Sequence, residues 1–94
     1  MMIVSGALFV DASVRDEYIA GCRDVVAIAR SAEGCIDFHL SADAIDPTRI
    51  NVFEQWETVA DVERFRGAGA PDHQTGLIRA ARVFQHEIAS TIRL

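Results

Sequence analysis

Gly34–Glu57, GCIDFHLSADAIDPTRINVFEQWE, is the stretch that decides the fold. Two runs of alternating apolar residues flank Asp43-Ala44-Ile45-Asp46-Pro47-Thr48, a segment rich in turn formers, and this is the pattern of an antiparallel hairpin with a long loop. Binary pattern also sets its register. With even positions opposite even positions, Ile36, Phe38, Leu40 and Ala42 share a face with Ile50, Val52, Glu54 and Trp56. Cys35, Asp37, His39, Ser41, Asn51, Phe53, Gln55 and Glu57 then occupy the other face. The first face is apolar apart from Glu54; a slip of one residue would scatter both sets.

The flanking segments read as the cover for that face. Met2–Val10 is apolar on both faces, as expected of a central strand. Ser13 with Asp16 forms a capping-box-like start to a helix predicted to run to about Ala32, burying Tyr18, Cys22, Val25, Val26 and Ala29 and stopping at Gly34. Beyond the hairpin, Thr58 with Asp61 repeats the capping pattern and opens a second helix that turns Val59, Val62 and Phe65 inward. Gly67-Ala68-Gly69-Ala70-Pro71 ends it and is the best lid candidate in the chain. Asp72 is expected to cap a shorter helix carrying Leu77, Ile78 and Ala81. The period returns to two from Val83 to Leu94, read as the last strand, with Phe84, His86, Ile88 and Ile92 facing one way. The order β-α-β-β-α-(α)-β is the α+β, ferredoxin-like plan: one antiparallel sheet with helices on one face. Residues 1–94 read as one domain. Ile3, Ala7, Phe9, Phe53 and Val83 are expected on the helix-free face, which predicts that a second copy covers it as a homodimer.

Composition narrows the function classes. The 94 residues carry a net charge of −5, and with no arginine cluster this argues against a nucleic-acid or anionic-membrane surface. No apolar run approaches a membrane span, and Met1-Met2-Ile3 leads straight into a strand without an export-signal pattern, so the cytoplasm is the expected location. All nine basic residues are arginine, which excludes a Schiff-base lysine. Cys22 and Cys35 lack metal-ligand spacing and are expected as buried, reduced thiols. No Gly-rich phosphate loop follows the first strand and no three ligands have metal spacing, so neither a nucleotide cofactor nor a metal is expected.

Ala29-Arg30 before Glu33-Gly34-Cys35-Ile36, then Asp46-Pro47, then Phe53-Glu54-Gln55-Trp56, together resemble the antibiotic biosynthesis monooxygenase family over nearly the whole chain. Glu-x-Trp on the third strand is the most specific piece. The resemblance implies a dimeric α+β barrel with a pocket between sheet and helices; its members include quinol and anthrone-type monooxygenases and haem-degrading enzymes. Family members often carry a His nine residues after the Trp, where this chain has Phe65. The haem-degrading branch uses an Asn on the first strand, and Met2–Val10 has none, so haem degradation is disfavoured.

Three residues are the catalytic candidates. Trp56 is either a core anchor or an aromatic wall with its indole N–H free to donate to a developing oxyanion. Glu54 is either paired with an arginine such as Arg23 or Arg79, or a desolvated carboxylate with raised pKa, suited to act as general base toward a phenol. His86 is either a satisfied core imidazole or a second titratable group about 10 Å from Glu54, two strands away. Phe38, Val52 and Phe65 are the apolar substrate-binding candidates, with Arg66 and His73 as polar ones. Asn51 and His39 are expected at the partner subunit. With no cofactor, an oxygenase of this kind would draw electrons from an ionised aromatic substrate, which reduces O₂ directly. The alternatives are a non-catalytic binder of a small aromatic ligand and a purely structural dimer.

Overall fold

The computed structural model describes residues 1–67 and 75–94. The expected lid at Gly67–Pro71, apart from Gly67, and the expected cap Asp72 lie outside the described residues, as does His73. Strand β1 (Met2–Val10) leads through a 3-10 turn to α1 (Arg15–Gly21) and α2 (Arg23–Ser31). The hairpin follows as β2 (Cys35–Ala42) and β3 (Arg49–Trp56), then α3 (Val59–Gly67), a second 3-10 turn at Thr75–Leu77, and β4 (Ile78–Glu87). The strands form one antiparallel sheet in the order β2-β3-β1-β4, so this is the α+β, ferredoxin-like plan that the sequence predicts.

Leu40 opposite Val52 and Ala42 opposite Ile50 reproduce the expected hairpin register. Its start differs. Cys35 pairs with Trp56 and Asp37 with Gln55, so Ile36 is the extra residue of a β-bulge. Cys35, not Ile36, packs beside Trp56, and Ile36 is left 47% exposed. The loop is tied by its own carboxylates. Asp43 Oδ2 accepts the backbone N–H groups of Ile45 (3.1 Å) and Asp46 (2.8 Å), while its Oδ1 accepts from Asn51 Nδ2 at 3.0 Å. These bonds hold the Asp43 carboxyl down at about 2, against an ordinary 3.8.

The first helix is two helices. Its buried stripe is nearly as predicted, with Tyr18, Cys22 and Ala29 buried and Val25 and Val26 half-buried. The axis breaks at Gly21-Cys22, where Cys22 N–H turns back to Ile19 O (3.0 Å), since glycine is a poor helix former and the stripe must follow a twisted sheet. Ser13 and Asp16 make no capping bond here; neither N-cap position carries a side-chain hydrogen bond. At α3 the capping box does form: Asp61 N–H donates to Thr58 Oγ1 (3.2 Å), and Thr58 N–H and Oγ1 donate to Asp61 Oδ2 (3.2 and 2.8 Å).

Gly34 joins these parts. It adopts φ +80, its carbonyl accepts Glu57 N–H (2.8 Å), and the Asp61 side chain fills the space that a Cβ would need. Gly34→Ala is therefore expected to lose about 2 kcal/mol or more, from the left-handed backbone and the displaced cap together. Chemical denaturation would show it as a lower midpoint at unchanged slope.

Leu77 closes the 3-10 turn, and the expected third helix does not continue through Ile78 and Ala81. Ile78 and Ala81 belong to β4, which ends at Glu87 and not at Leu94. Ile88 N–H still donates to Met1 O (2.9 Å), and beyond it residues 88–94 pair with no strand among the described residues. Helices pack on one face in two clusters that Leu40 touches: Val10, Tyr18, Cys22 and Ile50 at one end, Ala29, Phe38, Trp56 and Val62 at the other.

Candidate active site

Glu54 and Trp56 are two residues apart on β3 and so project from the helix side of the sheet together. The pairings Phe38 with Glu54, Glu54 with Val4, and Val4 with Gln85 place these four residues in one row across all four strands. The adjacent row on one side is Leu40, Val52, Gly6 and Val83; on the other, Cys35, Trp56, Met2 and Glu87. Trp56 is 0% exposed, packed with Ala29, Phe38 and Val62. Phe65 of α3 closes over it, with ring centroids 5.2 Å from Trp56 and 5.7 Å from Phe38. Glu54 is thus a carboxylate at the edge of an aromatic cluster.

Its electrostatics follow from that placement. Burial raises the Glu54 pKa, opposed by the Trp56 hydrogen bond and the Arg66 charge. Trp56 Nε1–H donates to Glu54 Oε1 at 3.0 Å. The indole N–H is therefore not free for a substrate oxyanion. It is committed to orienting the carboxylate, whose second oxygen accepts no hydrogen bond from the described residues.

Neither arginine expected beside Glu54 is its partner. Arg79 pairs with Asp11 (3.0 Å), Arg23 lies exposed at the start of α2, and among the described residues Glu54 has no salt bridge. Arg66 is the cation that acts on it. Arg66 Nη1 donates to Gln85 Oε1 (3.0 Å), which makes Gln85 a site neighbour that sequence reasoning missed. No sequence signal marked it, since its side of the sheet is set by the pairing of Gln85 with Val4. His86 is a correction: it pairs with Ile3, so it projects from the helix-free face together with Phe84, away from Glu54. The reason is Gly6. Pairing Gly6 with Val83 puts Val83, Gln85 and Glu87 on the helix side, so Val83 also leaves the helix-free face on which it was expected. His39 and Asn51 do lie on that face, His39 stacked on Phe53 at 5.3 Å. Cys35 has its thiol pKa raised, first by burial and then by the Asp37 and Glu54 charges.

The family model for antibiotic biosynthesis monooxygenases matches residues 1–86. The chain belongs to this family. Among solved structures, a provisionally assigned antibiotic biosynthesis monooxygenase from Deinococcus radiodurans superposes with a TM-score of 0.84 at 18% identity, covering 100% of this chain and 98% of that one. A similarly assigned protein from Nitrosomonas europaea gives 0.81 at 14% identity, over 96% and 100% of the two chains. The haem degrader MhuD from Mycobacterium tuberculosis, solved with two haems in its active site, gives 0.74 at 15% identity, over 99% and 100%. At such identities the likeness is one of fold. No curated protein sequence matches the chain.

Several of the residues that resemble the antibiotic biosynthesis monooxygenase family lie at or beside this site, whereas Asp46 and Pro47 lie in the hairpin loop and Phe53 on the helix-free face. Ala29 packs under Trp56, Arg30 Nε donates to Phe38 O (2.8 Å), Gly34 backs the α3 cap, and Glu54-Gln55-Trp56 carries the carboxylate. A haem on the helix side would need a ligand there. His39 and His86, the two described histidines, both project from the other face, and Phe65 offers no ligand atom, so neither described histidine is placed to ligate a haem on the helix side. Among the described residues no group of three or more His, Cys, Asp or Glu side chains could hold a metal ion, and no helix is long and apolar enough to cross a membrane.

Proposed function

We propose that the protein is a cofactor-independent monooxygenase acting on a quinol or anthrone-type aromatic with O₂, and that Glu54 is its general base. The observation that carries the reading is a half-buried carboxylate with a raised pKa, held at 3.0 Å by an indole N–H beside three aromatic rings and free of any described salt bridge. A base poised closer to neutrality suits the weakly acidic proton of such a substrate. Glu54 takes that proton, and the resulting carbanion or phenolate passes electrons to O₂ and forms the C–O bond. The peroxide so formed loses water as the carbonyl forms, with the proton on Glu54 available to the departing oxygen. For an anthrone the balance is CH₂ + O₂ → C=O + H₂O; for a quinol a ring C–H becomes C–OH as the ring is oxidised to the quinone, C₆H₆O₂ + O₂ → C₆H₄O₃ + H₂O, with all electrons from the substrate in both cases. Trp56 positions the base and does not contact the reacting atoms; Phe38, Val52 and Phe65 supply the apolar wall, and Arg66 favours the anion electrostatically.

The reading includes a homodimer. Ile3, Phe9, Phe53 and Phe84 share the helix-free face, and Phe84 is 62% exposed, an apolar surface suited to a second copy.

The test is oxygen uptake by the metal-free protein with anthrones and quinols, after subtraction of autoxidation. Uptake above background, with one O₂ consumed per substrate oxidised, is expected. Ligands that bind without uptake above background would make the protein a binder of small aromatics, and a strict need for added flavin, haem or metal would contradict the reading.

A further inference from the structure

The helix-free face carries a slot of about 360 Å³. Its floor is Ser5, Gly6 and Ala7 of β1, whose small side chains leave the hollow, and its walls are Arg49 on β3 and Arg82, Phe84 and His86 on β4. The cations at this slot are unequally offset. Arg49 donates from Nε to Asn51 Oδ1 (2.7 Å) and lies 3.8 Å from the Asp43 carboxylate. His39, farther along the face, is 3.7 Å from Asp37. Arg82 contacts only the face of Phe9, 5.5 Å from the ring centroid, and has no carboxylate partner among the described residues. His86 stands at the other end of the slot.

We propose that this slot is an oxyanion site, and that a bound oxyanion is what lets two copies of the chain close over the helix-free face. The inference rests on the homodimer reading above. Phe84, Phe9, Phe53 and Ile3 make the face too apolar to stay wet. Covering it would nevertheless strip water from the Arg82 guanidinium, which has no carboxylate partner among the described residues. An oxyanion in each slot offsets that cost. A guanidinium receives phosphate, sulfate or carboxylate through paired N–H donors, and Phe84 would flank the flat body of an aromatic carboxylate.

Sedimentation velocity of the full chain at constant ionic strength, in chloride, in inorganic phosphate and in benzoate, tests this. Phosphate or benzoate is expected to raise the association constant tenfold or more over chloride. A response to phosphate alone marks an inorganic oxyanion as the ligand, and a response to benzoate alone marks a carboxylate with a flat apolar body. Arg82→Gln, at an exposed position that the fold does not need, is expected to associate equally in all three buffers and more tightly in chloride than the native chain. A dimer indifferent to both oxyanions would overturn the inference and leave the homodimer standing. Loss of association in Arg82→Gln would also overturn it, since a carboxylate of the second copy would then be the partner of Arg82. A monomer in every buffer would overturn this inference and the homodimer reading together, without touching the oxygenase chemistry.

Discussion

Glu54→Gln is expected to cut kcat by about 10²- to 10⁴-fold, the usual contribution of a positioned general base, while the protein melts at or above the native temperature at pH 7. The two effects have one cause. Burial raises the Glu54 pKa in the folded state above its ordinary value of 4.5. A group shifted upward stabilises the fold while protonated, fully so below its unfolded pKa, and that contribution is lost as pH rises through the folded pKa. At neutral pH the native chain therefore carries an ionised, partly desolvated carboxylate at a cost that Gln removes. Gln also keeps an amide oxygen to accept the Trp56 N–H, so the aromatic cluster is undisturbed. Melting curves from pH 4 to 8 should converge for the two proteins at the acid end and separate toward neutrality, with the variant higher. A variant that melts lower at pH 7 and turns over normally would assign Glu54 a structural role.

Trp56→Phe is the second large effect, and it separates positioning from packing. The lost volume in a fully buried cluster is expected to cost about 1–3 kcal/mol. The lost N–H removes one of two influences that lower the Glu54 pKa, the other being Arg66, so the pKa rises further, a smaller fraction of the base is ionised on the acid side, and it is less well aimed. The acidic limb of kcat/KM is expected to move to higher pH, with kcat down by about tenfold. Val62→Ala supplies the control, because Val62 is equally buried in the same cluster but has no group that can hydrogen-bond Glu54. It should lower the melting temperature comparably and leave the acidic limb in place. A shifted limb in both variants would mean that loosened packing, and not the indole N–H, sets the base.

The hairpin that carries this site was legible because period two and a single buried face admit one register, and Phe38, Glu54 and Trp56 stand where that register puts them. The bulge at Ile36 was not, since inserting one residue into a ladder leaves no compositional mark. For β4, alternation separates Arg82, Phe84 and His86 from Val83, Gln85 and Glu87, but the two sets are nearly equal in polarity. Which of them faces the helices is decided by the partner of Gly6, a long-range pairing that alternation cannot specify. That is why His86 was expected on the face of Glu54, two strands away, and Gln85 was overlooked. The break at Gly21-Cys22 was hidden for a related reason: the buried stripe passes through it with its helical spacing unchanged. Spacing likewise put Glu54 and Trp56 on one face. It could not say that the indole N–H would bond the carboxylate and not a ligand, because that depends on burial and on the absence of a competing arginine.

The central claim is that Glu54 ionises the aromatic substrate before oxygen reacts, and an anaerobic absorbance titration addresses it without any turnover. An anthrone is mixed with excess protein at a pH about two units below its own solution pKa, and the fraction of bound anion is read from its visible band. The account predicts a substantial anion band with the native chain and its loss with Glu54→Gln, at equal amounts of bound ligand. Bound ligand that stays neutral in both proteins, or ionises equally in both, would contradict it.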